Sequence, residues 1–471
     1  MLYGLRDRRG GSSRRCPQAM GEGVLHSKLT LGLLAAALLS LGTTVAKAQT
    51  ADTVLDKALA TADWTRVAAI AAQMEADDPA DADAAFLRAL AAFEAGDPAP
   101  AAVFAARAYT LAQTEPDRFE AARLAARAHY NAGAFARSEF WFRRAANHAT
   151  TAAETDSVAA DFRLAQQANP LTIALGAWVA PSDNINDGSE DPYFQLEGLP
   201  FDFLLPASRR ALSGIEYGAE ARFSYRLSQS ARQRTSVGTY VLGQTYTLSS
   251  EAQDIAPELS GSDFAVGVVE LSFTHERNFG NGLGPSGLTV SVGKTWYGGD
   301  PTWDYRTLTL QQGFVVGEAG RLIVQFSDTL QEAIGQDATV RTEDWGVTYE
   351  MTRPTGHRWT LTSGYTYRDG GFENIFDEYR IGSGIALARP IWGALWSADM
   401  TLGYRDYPTF TTTLDGRQDS FGSLGVTATL SDWSYWGFAP QVSVLASFTS
   451  SSAEEFNARS IESRFGITST F

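Results

Sequence analysis

Ile215-Glu216-Tyr217-Gly218-Ala219-Glu220-Ala221-Arg222-Phe223-Ser224-Tyr225-Arg226 alternates without a break. Ile215, Tyr217, Ala219, Ala221, Phe223 and Tyr225 fall on one face of an extended chain. Glu216, Gly218, Glu220, Arg222, Ser224 and Arg226 fall on the other, because successive side chains of a strand point to opposite sides. A soluble sandwich alternates too, but over shorter strands with a shared core. A run of this length, with aromatics on its apolar face and charge on the other, fits a strand between lipid and a wet lumen.

The pattern recurs from Trp392 to Arg405: Trp392, Ala394, Trp396, Ala398, Met400, Leu402 and Tyr404 oppose Gly393, Leu395, Ser397, Asp399, Thr401, Gly403 and Arg405. Aromatics sit near both ends of that apolar face, as expected of girdles at two membrane interfaces. Such segments begin near Leu171, Ser213, Thr235, Phe264, Gly287, Trp303, Arg321, Val340, His357, Asp377, Trp392, Ser420, Gly437 and Glu462. Each is near the length a tilted spanning strand needs. Their number, about 14, is even, as closed antiparallel barrels require.

Upstream, the texture is different. From Asp52 to about Ala168 the chain is rich in Ala, Leu, Glu, Arg and Phe, and poor in Gly and β-branched residues, which is helix composition. Ala92-Phe93-Glu94-Ala95-Gly96 recurs as His129-Tyr130-Asn131-Ala132-Gly133. Ala101, Phe104 and Ala108 then match Ser138, Trp141 and Ala145 in offset, and Pro79 matches Pro116. A period of roughly 34–37 residues belongs to helix–turn–helix repeats. Gly96 and Gly133 would make the turns; Phe104 and Trp141 would fill the space between helices, Trp141 facing either a groove or the core. This is similar to tetratricopeptide repeats, or to a generic stack of α-hairpins. Either offers a binding surface rather than a catalytic pocket. Asn169-Pro170 ends the helical pattern.

The region before Gln49 has the marks of an export signal. Lys28 precedes the apolar run Leu29–Val45, which ends in Ala46-Lys47-Ala48. Met1–Ala19 makes the leader long, and Met20 is an alternative start. The expected organisation is residues 1–48 as leader, 49–168 as a helical-repeat domain on the periplasmic side, and 169–471 as an outer-membrane barrel. N-terminal sequencing of the membrane-extracted protein should begin near Gln49.

Cleavage there removes Cys16, the only cysteine, so neither a thiolate metal site nor a disulfide is expected. It also removes seven basic and two acidic residues. The net charge moves from −16 for the whole chain to about −21, which argues against a nucleic-acid partner. His129, His148, His275 and His357 have no metal-ligand spacing. Gly280-Asn281-Gly282-Leu283-Gly284 precedes a strand rather than a helix, so it reads as a turn and not a phosphate loop. No catalytic set and no cofactor are expected. The charges Glu216, Glu220, Arg222 and Arg226 are assigned to the lumen, with Asp344 and Glu350 also inward. The chain ends in Phe471 on an alternating segment, resembling the assembly signal read by the outer-membrane barrel-assembly machinery.

Leu175-Gly176-Ala177-Trp178-Val179-Ala180-Pro181-Ser182-Asp183-Asn184-Ile185-Asn186 stands where helices give way to strands. With its Asn184-x-Asn186 pair it resembles the first strand of the Slam family, the surface lipoprotein assembly modulators. The order of parts is similar too: export signal, short tetratricopeptide-like region, barrel of about 14 strands. The resemblance implies an outer-membrane translocator for a surface lipoprotein or secreted protein. Its helices would engage the client or a periplasmic chaperone, and its barrel would give the route. Two rivals remain: a diffusion porin with an accessory domain, and a polysaccharide exporter, a class with longer repeat arrays.

Overall fold

The computed structural model describes residues 48–469 except 196–201, 281, 371–374, 412, 414 and 434–437. The leader, Cys16 and Phe471 lie outside the described residues. The chain divides into two compact units, one ending at Leu111 and one running from Ala112 to Phe471.

The first unit holds helices α1 (Ala48–Ala60), α2 (Trp64–Asp77), α3 (Ala82–Glu94) and α4 (Pro98–Leu111). Asp63 caps α2 by accepting from the Arg66 amide, and Asp81 caps α3 by accepting from the amides of Asp83 and Ala84. These side chains satisfy donors that the first turn leaves free. Pro98 opens α4, where its missing N–H costs nothing. Leu55, Ala58, Val67, Ala71, Leu87 and Ala91 form the core. Glu75 accepts from both Arg88 and Arg107. The hydrogen bond from Arg88 is the main reason its carboxyl is held below the ordinary range.

The second unit begins with α5 (Glu115–Asn131), α6 (Phe135–Asn147) and α7 (Ala152–Ala168). The turn at Gly133 copies the one at Gly96. Gly96 has φ +83° and Gly133 φ +71°. The Asp97 amide reaches the Ala92 carbonyl at 2.9 Å, and the Ala134 amide reaches the His129 carbonyl at 2.9 Å. Both are glycine-closed helix ends in the left-handed region. The matched offsets share burial as well: Ala101, Ala108, Ser138, Trp141 and Ala145 are all buried. Trp141 therefore belongs to a core rather than a groove, and half-buried Phe104 lies under the Arg88 guanidinium at 4.0 Å.

The helical pattern stops at Asn169-Pro170, and β1 (Leu171–Ser182) begins. Thirteen further long strands follow: β4 (Gly214–Gln229), β5 (Gln233–Leu248), β6 (Val266–Gly280), β7 (Leu283–Tyr297), β8 (Asp300–Val316), β9 (Gly320–Ala333), β10 (Thr339–Thr352), β11 (Arg358–Asp369), β12 (Phe376–Ala386), β13 (Leu395–Tyr407), β14 (Arg417–Thr429), β15 (Phe438–Ser451) and β16 (Ala458–Ser469). The short ribbon β2 (Tyr193–Gln195) and β3 (Asp202–Leu204) lies in the first connection. The long strands close into one antiparallel barrel in chain order, with β1 between β4 and β16. Closure leaves no long open edge of the kind that invites aggregation. Among the described residues no helix is long and apolar enough to cross a membrane; strands of this length do so. Because β1 leaves the helices, each strand has a helix-side end and a far end.

The expected strand start at Trp392 lies in a turn ahead of β13. Trp392 and Ala394 do not open β13. The Ile391 amide bonds the Ala394 carbonyl at 2.9 Å and the reverse bond is 3.2 Å, so Trp392-Gly393 is a two-residue hairpin turn. Both central residues have positive φ, +54° and +76°, as such a turn requires. Glycine accepts this freely; Trp392 is forced into it and stands 91 % exposed.

Candidate functional site

The inner face of the barrel is fixed by side chains that meet across an intervening strand, which is possible only on the concave side of a closed sheet. Arg464 on β16 reaches Glu216 on β4 at 3.3 Å, over β1. Tyr305 on β8 donates to Glu270 on β6 at 3.0 Å, over β7. Arg380 on β12 reaches Asp344 on β10, over β11. Alternation from Glu216 then turns Glu220 and Arg222 inward, where they pair at 3.2 Å beside Tyr240. Tyr217, Phe223 and Tyr225, of opposite parity, are exposed on the outer surface.

Arg226, assigned to the lumen face with Glu216, Glu220 and Arg222, is held by the end of a helix. Its guanidinium donates to the carbonyls of Gln167 (2.8 Å), Ala168 (3.1 Å) and Asn169 (3.0 Å) at the end of α7. Those carbonyls have no partner inside the helix and carry its negative dipole end, so a cation at the rim is drawn to them rather than to lumen water. On α6, Glu139 accepts from Asn169 at 2.8 Å. Burial pushes the Glu139 carboxyl above its ordinary range, against that bond. Arg143, also on α6, lies 5.6 Å from the ring of Phe438 at the start of β15. The last two helices are thus held to the barrel rim on both sides of β1 and β16.

Over β1 the lumen side carries a clasp. The Trp178 indole lies where a Cβ on Gly218 would stand, 2.1 Å from its ring, so only glycine fits opposite it. The indole N–H donates to Glu216, and the Arg464 guanidinium stacks 4.7 Å from the ring. Arg464 also bonds Glu462 at 3.0 Å. The clasp joins β4, β1 and β16 in one network.

The rest of the lumen has two walls of different chemistry. From β10 to β14 it is ionic. Arg380 bonds Glu378 at 3.0 Å and Thr366 at 2.6 Å, and Arg405 bonds the other oxygen of Glu378 at 2.8 Å. Arg417 grips Asp419 with two bonds of 3.1 and 2.9 Å while lying 3.7 Å from the rings of both Tyr407 and Phe456. From β6 to β9 it is hydroxyl-lined: Thr274–Thr289 at 3.0 Å, Thr307–Thr329 at 2.9 Å and Thr309–Ser327 at 3.0 Å.

The first far-end loop, residues 183–213, folds on its two asparagines. Asn184 donates to the carbonyls of Gly188 (2.8 Å) and Arg459 (3.0 Å) and accepts from the Gly188 amide at 2.9 Å. Asn186 donates to the carbonyls of Ser208 (3.0 Å) and Arg210 (2.8 Å) and accepts from the Leu212 amide at 2.9 Å. The motif is a pair of backbone fasteners. Leu212 packs with Ala252, Ala256 and Phe264 of the next far-end loop, against Ile185 and Tyr246. Beside this loop a cavity of about 310 Å³ is lined by Asp187, Arg405, Arg417, Asp419, Phe456 and Arg459 among others. Burial raises the Asp187 carboxyl.

Alternation had given Glu216, Glu220, Arg222 and Asp344. The clasp, the Arg143 contact and the cavity were missed, since each joins residues far apart in sequence. For the ionic wall the available signals were the inward parities of Asp344 and Arg405, each visible in its own strand. Among the described residues no group of side chains could hold a metal ion.

No family model matches the sequence. No curated protein matches it either. Among solved structures it is similar to OmpTdeltaL8, a loop L8 deletion mutant of OmpT, an outer membrane protein of Vibrio cholerae, at 12 % identity over 64 % of this chain and 99 % of that one, TM-score 0.31. It is also similar to a bacterial polysaccharide outer membrane secretin (8 %, 63 % and 98 %, 0.34) and to an anion-selective porin from Comamonas acidovorans (9 %, 64 % and 100 %, 0.34). Identities this low and superpositions this loose say nothing about what the barrel carries.

Proposed function

We propose that this chain is an outer-membrane translocator that passes a surface lipoprotein or secreted protein outward, its helices lying on the periplasmic side and receiving the client or its chaperone. The observation that carries this reading is the attachment of α6 and α7 to the barrel rim through Arg226, Asn169–Glu139 and Arg143. A stack of helices presents a recognition surface, and fastening it to the mouth hands a client to the barrel. The Slam-like junction at Leu175–Asn186 agrees with it.

A second reading, a diffusion channel, draws on the hydroxyl-lined wall between β6 and β9, which would suit water and small polar solutes. Deleting Asp52–Gln166 separates the two. The deletion spares the carbonyls that Arg226 holds and every strand, so the barrel still inserts. Surface labelling of a co-expressed surface lipoprotein should fall at least tenfold. Undiminished labelling, with small solutes still passing, favours the channel.

A further inference from the structure

We propose that the outer wall of β7–β10 carries, at its far end, a docking belt for a lipid headgroup with two separated phosphates; this goes beyond the translocator reading and takes from it only that the far end meets the outer leaflet. Tyr305 and Asp344 point into the lumen. Alternation then turns Asp304 and Arg306 on β8, and Arg341 and Glu343 on β10, outward. Register carries the same face to β7 and β9. Lys294 lies opposite Asp304, Asp304 opposite Glu332, and Asp328 opposite Glu343. All of them stand toward the far ends of their strands.

The charges pair along this wall. Lys294 meets Asp304 at 3.3 Å and Arg306 meets Glu332 at 3.1 Å. Arg341 meets Asp328 at 2.9 Å and Glu343 at 3.0 Å. One outward position nearer the helices the wall is apolar, with Val292, Leu308 and Trp345 all exposed. A charge on the lipid face is costly at the midplane and tolerated near the interface, so this step marks the level of the headgroups. The outer face of β4 stays apolar to its far end, with Ile215 and Tyr217 exposed. Such charge is therefore not a requirement of every strand.

The cations remain open to a partner: Lys294, Arg306 and Arg341 keep 41, 64 and 55 % of their side-chain surface exposed. Exposed ion pairs hold little energy, because water screens them. A guanidinium has five donors in a planar fork, so it can keep its carboxylate and still grip a phosphate, which brings more charge and three acceptor oxygens. The carboxylates also set the spacing. Arg306 and Arg341 flank Leu330 of β9, but Arg306 is drawn toward Glu332 and Arg341 toward Asp328. Those two anchors lie on opposite sides of Leu330, about 13 Å apart along the strand. Lys294 and Arg306 thus serve one phosphate and Arg341 a second on the same headgroup.

The chain from Gln49 to Phe471 is refolded in neutral detergent, with heat-modifiable gel mobility confirming the barrel, and mixed with radiolabelled diphosphoryl lipid A as the probe. Lipid retained per barrel after gel filtration should fall at least tenfold in Lys294→Gln/Arg306→Gln/Arg341→Gln. It should fall less than twofold in Arg232→Gln/Arg353→Gln/Arg389→Gln, which removes exposed cations from helix-side turns. Removing one phosphate from the probe should lower retention at least fivefold, and inorganic phosphate at the probe's concentration should displace none of it. Equal losses in the two triple variants overturn the belt and leave only net charge. Undiminished retention in the first variant overturns it too, as does equal retention of the one-phosphate probe. Displacement by inorganic phosphate overturns the lipid as occupant and leaves a free-anion site. If the first triple variant does not reach folded mobility, Arg306→Gln and Arg306→Lys decide in its place. Lysine should keep at least half of the retention that glutamine loses, and parent retention in both overturns the belt. No client protein enters the measurement, so it stands or falls apart from the translocator reading.

Discussion

Ala398→Arg lowers the stability of the refolded barrel by about 2–4 kcal/mol, while Thr401→Arg changes it by less than about 1 kcal/mol. Both residues lie on β13, three apart and so on opposite faces. Ala398 is opposite Ile385 and Val426 and shares the outer face with Met400 and Leu402, both exposed. An arginine there must either enter hydrocarbon or drag water after it. Thr401 is opposite Gly382 and Ser423, on the face of Arg405, where a guanidinium stays hydrated and finds carboxylates nearby. Urea titration in vesicles, read by heat-modifiable mobility, measures the difference. Equal losses would mean that the two faces are wrongly assigned.

The double variant Asn184→Ala/Asn186→Ala should release the first loop without unfolding the barrel. The two side chains satisfy six hydrogen-bonding needs of the backbone, at Gly188 twice, Arg459, Ser208, Arg210 and Leu212. Each buried group left unpaired costs about 1–3 kcal/mol, more in sum than a surface loop of this kind can bear. The chain segments are tightly apposed there, since a Cβ on Gly188 would stand 2.2 Å from the Arg210 carbonyl oxygen. Trypsin cleavage after Arg209 and Arg210 in the folded protein should accelerate at least tenfold, with gel mobility of the uncut barrel unchanged. Cleavage at the parent rate would show that the asparagines do not fasten the loop.

The barrel was legible because its rule is local. A strand with lipid on one side and water on the other must alternate, and Ile215–Arg226 or Leu395–Arg405 announce that alone. The rule fails where a turn intrudes: Trp392 keeps the apolar parity of β13 yet belongs to a hairpin, since Gly393 beside it makes the positive-φ pair cheap. The same limit applies to side chains whose partner is set by closure. Glu216 is inward by parity, but that its carboxylate holds Trp178 and Arg464 together depends on β1 lying between the first and last strands. Arg226 is inward by parity as well, but that it closes the end of α7 depends on the α7 carbonyls arriving at the rim. The asparagine pair was visible as a motif; its work, tying residues 188, 208–212 and 459 into one loop, was not.

The central claim is that a protein, not only small solutes, crosses with the help of this chain. The most direct measurement uses the chain from Gln49 to Phe471 refolded into vesicles, with a purified tagged surface lipoprotein supplied on the helix side. The tag should become open to protease on the opposite side, and should stay protected when Asp52–Gln166 is absent. A tag that remains protected in both cases, while a small sugar equilibrates across the same vesicles, would contradict the account and leave a diffusion channel.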